Sequence, residues 1–166
     1  IRTIPSTEKR YNPMSYHNGS VWPHDNALIA AGMARYRYRE DVARIFEGLF
    51  AASTYIDMRR LPELFCGFPR QRAQGPTFYP VACSPQAWAA ATPLSLLQSC
   101  LGLSFKPSRH EILFKEPYLP AFLDEVVLTK LGMNGQFVNV AIRRSQNNVV
   151  IDVLERQGDI KVVTVA

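Results

Sequence analysis

Residues 16–26 read Tyr-His-Asn-Gly-Ser-Val-Trp-Pro-His-Asp-Asn. Imidazoles, amides, a carboxylate, a phenol and an indole are gathered in one short stretch, broken by Gly19 and Pro23. A pyranose needs such a mixture, because its hydroxyls take polar groups and its flat C–H faces lie against aromatic rings. Tyr16, His17, Trp22, His24 and Asp25 are therefore candidate sugar-binding residues. The alternative is a helix N-terminal loop in which Asp25 and Asn26 only cap, a role both residue types favour.

Glu63 is the candidate catalytic group. It lies in Leu61-Pro-Glu-Leu-Phe-Cys-Gly, an apolar run inside a segment rich in Pro and Gly. An unpartnered carboxylate is costly there. Such surroundings raise a carboxyl pKa, which suits proton transfer near neutral pH. The structural alternative is an ion pair with Arg70 or Arg72, or a helix cap. Tyr79 and Gln86 are placed to wall the same pocket. Trp22 and Trp88 are each a stacking platform or core, and the Ala-rich neighbourhood of Trp88 favours core for most of its ring.

Other chemistries find little support. His17 and His24 flank Gly19 and Pro23, a spacing that does not hold two imidazoles on one helix face, so no metal site is expected. There is no Gly-x-Ser-x-Gly elbow, no Gly-x-Gly-x-x-Gly and no phosphate loop, and no cofactor is expected. The cysteines, Cys66, Cys83 and Cys100, are odd in number and form no Cys-x-x-Cys, which argues for a reducing compartment over a disulfide framework.

These groups need elements to hold them. Asp25 or Asn26 is expected to cap a helix through about Arg37, apolar on nearly every face and hence buried on most sides. A second helix starts at Glu40-Asp41 and reaches about Asp57, with Val42, Ile45, Phe46, Leu49 and Phe50 at helical spacing. The short link makes the two an αα-hairpin. Residues 59–83 have no sustained period but carry Leu64, Phe65, Phe68, Phe78 and Tyr79. This is too apolar for a disordered linker, and it reads as an ordered loop over a helix-end cavity. Ser84-Pro85 opens a third helix that stops at Gly102, with Pro93 kinking it or Thr92 restarting it.

Beyond Ser104 the period shortens to that of strands. Five are expected, at 111–115, 124–131, 136–143, 149–155 and 160–165. Gly132, Asn134-Gly135, Asn147-Asn148 and Gln157-Gly158-Asp159 supply turns, and the whole reads as an antiparallel meander. The division is thus residues 1–104, helical, and 105–166, a small antiparallel β module.

The chain has 166 residues, 47% hydrophobic and 20% charged, the composition of a folded protein. Its net charge of +5 comes from 19 basic and 14 acidic residues, mostly scattered. No basic run or nucleic-acid motif appears, so no nucleic-acid partner is expected. The apolar runs are too short to span a bilayer, and no membrane partner is expected. Ile1 to Arg10 lacks a signal-peptide core, and the opening reads as a cut through a longer protein.

Taken together, the 16–26 stretch, Leu61-Pro-Glu-Leu-Phe-Cys-Gly, Tyr79-Pro and Cys83-Ser-Pro-Gln-Ala-Trp-Ala resemble, in order and spacing, the glucosidase domain of glycogen debranching enzymes, the amylo-α-1,6-glucosidase type. The resemblance covers about residues 11–103. It implies a mainly α chain, the final helices of a partial (α/α)6 toroid, followed by the β module. It implies inverting hydrolysis of α-linked branch glucosides by a cytoplasmic enzyme. Inversion uses two carboxyls roughly 6.5–9.5 Å apart. Glu63 matches the family's general base, which must be ionised. The general acid belongs to an upstream half of the same protein, which is the expected partner together with an α-glucan. Trp22, His24, Asp25, Gln86 and Trp88 match positions lining the sugar pocket. Related toroidal hydrolases of other α-glycosides, a non-catalytic carbohydrate-binding protein and a helical interaction module are the alternatives.

Overall fold

The computed structural model describes residues 1–146 and 148–165. Helix α1 spans Pro23–Arg35. Proline suits the first helical position because its fixed φ is already helical and its missing N–H needs no partner there. The cap residue is therefore Trp22, extended and without a side-chain capping bond. The capping roles expected of Asp25 and Asn26 are not taken up. Asn26 is buried and donates to the carbonyls of Trp22 (2.8 Å) and Ile1 (3.1 Å).

Helix α2 spans Arg39–Ser53, opening with Glu40 and Asp41 against the helix dipole. It buries Val42, Ala43, Phe46 and Leu49. The third helix is split: α3 covers Ala87–Ala90 and α4 Thr92–Leu101, with the break just before Pro93. Ser84-Pro85 lies ahead of it, since Gln86 is still extended. Gly102 ends α4 in the left-handed region (φ 56°), and a Cβ there would stand 2.0 Å from the Lys115 carbonyl oxygen. Helices α1, α2 and α4 enclose a cluster of Ala30, Val42, Phe46, Leu49, Leu61, Phe65, Ala89, Leu96 and Cys100.

Among the described residues six strands follow: β1 (Leu103–Lys106), β2 (Glu111–Lys115), β3 (Glu125–Met133), β4 (Gln136–Ser145), β5 (Asn148–Gln157) and β6 (Lys161–Val165). They form two three-stranded sheets, ordered β1-β2-β6 and β3-β4-β5. Only the second, turned at Asn134-Gly135, is a meander, so the single antiparallel module expected over 105–166 is corrected. In the first, β6 leaves β5 and pairs parallel with β2, Ile112 opposite Val162. Both sheets close on Leu101, Ile112, Phe114, Val138, Val140, Ile142 and Ile160. Gly132 lies within β3 and Gln157 ends β5, so neither is a turn residue. Asn147 lies outside the described residues.

The expectation of a mainly α chain and a partial (α/α)6 toroid is overturned. Helix and strand take nearly equal shares, about 29% and 28%, and the architecture is α+β. The helices do not extend as a ring; they make one cluster whose α4 turns its other side to the strands. Leu96 and Cys100 join the helical cluster while Leu101 joins the β cluster. Nor is α1 buried on most sides, because Leu28 and Ile29 are 70% and 41% exposed.

Candidate functional site

Backbone pairing brings the two chemistry-bearing stretches together. Val21 and Phe65 exchange two N–H···O bonds of 2.9 Å, and Phe65 bridges onward to Phe78. The Glu63 N–H donates to the Cys83 carbonyl (2.9 Å), and the Gln86 N–H to that of Leu61 (3.3 Å). Glu63 is thus flanked by the 16–22 loop on one side and the 79–86 segment on the other. The loops touch at backbone level: a Cβ on Gly67 would lie 1.7 Å from the Gly19 carbonyl oxygen. Tyr11 and Arg2 both donate to the Gly67 carbonyl at 2.6 Å.

The half-buried Glu63 carboxylate has two fixed donors. The Tyr16 hydroxyl donates to Oε1 at 2.5 Å, and the Cys83 N–H to Oε2 at 3.3 Å. Hydrogen bonds to the charged form favour it. The Tyr16 bond, with help from Cys83, the Gln86 amide and the nearby His24, outweighs partial desolvation and holds Glu63 below the ordinary glutamate value. The raised carboxyl expected from the apolar sequence is therefore corrected. The apolar neighbours Leu61, Leu64 and Phe65 turn into the core, while Glu63 faces polar donors. Conversely, donation to an anion pushes the Tyr16 phenol up to about 12. Among the described residues neither Arg70 nor Arg72 forms an ion pair with Glu63.

Around this pair runs a continuous aromatic array. The Tyr16 ring meets Trp22 edge-on at 4.7 Å, His17 at 4.7 Å and Tyr79 at 5.6 Å. Trp22 meets His24 edge-on at 5.9 Å, and His24 stacks on Trp88 at 4.6 Å. The Trp88 indole N–H donates to Gln86 Oε1, so the Gln86 amide nitrogen, which favours the ionised Glu63, is the end turned to the carboxylate. His24 Nε2 lies 3.0 Å from Asp25 Oδ1, while its buried Nδ1 has no partner. Every residue singled out from the sequence, Tyr16, His17, Trp22, His24, Asp25, Glu63, Tyr79, Gln86 and Trp88, belongs to this one network.

The two indoles take opposite places. Trp88 is 57% exposed, so its ring is not core. Trp22 is buried, and its N–H is spent on Ser20 Oγ (2.9 Å) and the Tyr16 carbonyl (3.2 Å), making it the loop's anchor. Sequence reasoning passed over Ser20 and the backbone of Cys83; the first is visible only as a small polar residue two places before an indole, and the second leaves no side-chain signal.

The 59–83 loop does line a concavity, about 830 Å³, but it opens on the flank of α2 beside Leu49, Phe65 and Phe68, and Glu63 does not line it. Among the described residues no group of three or more His, Cys, Asp or Glu is placed to hold a metal, and no helix is long and apolar enough to cross a membrane. No family model matches the chain, and no curated protein matches it. Chemically, the site offers an ionised carboxylate, held by two donors, next to an exposed indole and an imidazole–carboxylate pair.

Proposed function

We propose that this segment supplies the base side of an inverting α-glucosidase site, acting on α-1,6-linked branch glucosyl residues of glycogen-like glucans. The reading rests on the sequence resemblance, and the observation that carries it is the gathering of Glu63, Tyr16, His24, Gln86 and Trp88 into one network. Glu63 takes a proton from water as the water oxygen bonds the anomeric carbon. The glycosidic C–O bond breaks on the opposite face, and the departing oxygen takes a proton from a carboxylic acid outside this segment. The exposed Trp88 ring offers a face for a sugar. His24, Asp25 and the Gln86 amide offer partners for hydroxyls. The free thiols of Cys66, Cys83 and Cys100 suit a cytoplasmic setting.

A second reading, a sugar-binding protein without turnover, draws on one feature: Asp25, the other carboxylate in the network, is engaged by His24. Glu63→Gln in the whole protein separates the two. On a branched α-glucan limit substrate the variant should lose about 10²–10⁴-fold in kcat, the scale of a general base, while glucan affinity holds. Undiminished turnover would remove Glu63 from the mechanism. Wild-type binding without cleavage would leave the sugar-binding reading.

A further inference from the structure

We propose that Tyr16 is a positioning residue: by committing its hydroxyl proton to Glu63 Oε1 it makes Oε2 the oxygen that faces the reacting water. The catalytic part of this inference rests on the base assignment above; the hydrogen-bond part does not.

A free carboxylate has two equivalent oxygens and a broad, roughly two-fold terminal torsion, so nothing selects which oxygen acts. Tyr16 breaks that equivalence. Its hydroxyl carries one proton, and the 2.5 Å bond uses it. The ring that carries it cannot swing away. Trp22 and His17 meet it edge-on, and Tyr79 closes a further side. Trp22 is itself pinned by Ser20. Oε2 accepts a longer bond, from the Cys83 N–H at 3.3 Å. A carboxylate oxygen has two lone pairs, so one on Oε2 remains for water.

The titratable groups around the pair come from every neighbouring element. His24 on α1 favours the ionised Glu63, and Cys83 and Tyr79 on the following segment act on the Tyr16 phenol. His17 lies against the far side of the Tyr16 ring, and Asp25 is turned to His24. None replaces the phenol at Oε1. Tyr16 also has no hydroxyl proton left for a sugar.

The test is Tyr16→Phe in the whole protein, read in two ways. With carboxyl-labelled glutamate, the Glu63 titration midpoint should rise by about one unit, the scale of a charged hydrogen bond. The acid limb of kcat/KM should move to higher pH by the same amount, with kcat lowered and KM little changed. An unmoved midpoint would overturn the positioning role. So would a raised KM at unchanged kcat, the signature of a lost sugar contact. If the enzyme shows no turnover, the titration still decides the Tyr16–Glu63 coupling, and only the base assignment falls. Should the Phe variant fail to fold, fluorotyrosine at position 16, of nearly the same shape and a stronger donor, should lower the midpoint instead; no change would again overturn the proposal.

Discussion

In the β half, Ile112, Phe114, Val138, Val140 and Ile142 are fully enclosed by strands of both sheets. In the helical half, α1 leaves Leu28 70% exposed and α4 leaves Leu94 72% exposed. Strand pairs bury one face within a few residues of chain. A helix apolar on nearly every side needs neighbours on every side, and three helices provide too few. The site belongs to the helical half, beside Leu61, Leu64 and Phe65 of its core. Its precision comes from main-chain contacts between loops, with Leu61 and Phe65 anchoring them in the helical cluster.

The contrast sets the order of effects. Phe114→Ala, which empties the centre of the β cluster, should cost about 3–5 kcal/mol in urea unfolding. Because α4 serves both clusters, both halves should melt together; a helical signal surviving loss of the strands would mean the two are separable. Gly67→Ala should cost less, about 1–3 kcal/mol of overpacking, yet damage the site more. The added carbon meets the Gly19 backbone, so the 16–22 loop must shift and the Tyr16–Glu63 bond with it. Normal glutamate titration at position 63 alongside wild-type stability would show that the loops do not depend on that approach.

The smallest effect should be at acid pH. Glu63 in the folded chain lies below its ordinary value, so the stability it contributes is fully present above that value. It is lost as pH falls through the folded one. Acid unfolding of Glu63→Gln should therefore lack this portion of the pH dependence, and identical profiles would show the carboxylate to be uncoupled from folding.

How much of this was legible in the sequence depended on the range of the interaction. Helix α2 follows from Val42, Phe46 and Leu49 at helical spacing, and the α3–α4 break from Thr92-Pro93, because both signals are local. Alternation marked β2 and β4 for the same reason. The four-residue β1 is too short to show a period, and alternation in β6 says nothing about its partner. Its parallel pairing with β2 spans the whole meander. The toroid came from resemblance, and the described helices and strands do not build it. The site residues were visible by type. Their contacts were not, since the donors that set the charge of Glu63 come from a phenol far upstream and an amide far downstream.

That amide belongs to the main chain of residue 83, and it changes what substitution can do. The phenol at Oε1 disappears with a single codon change. The donor at Oε2 is present in any residue except proline, so the thiol there is free to vary without loosening the anion's second hold. One grip on the carboxylate is open to mutational drift; the other is nearly immune to it.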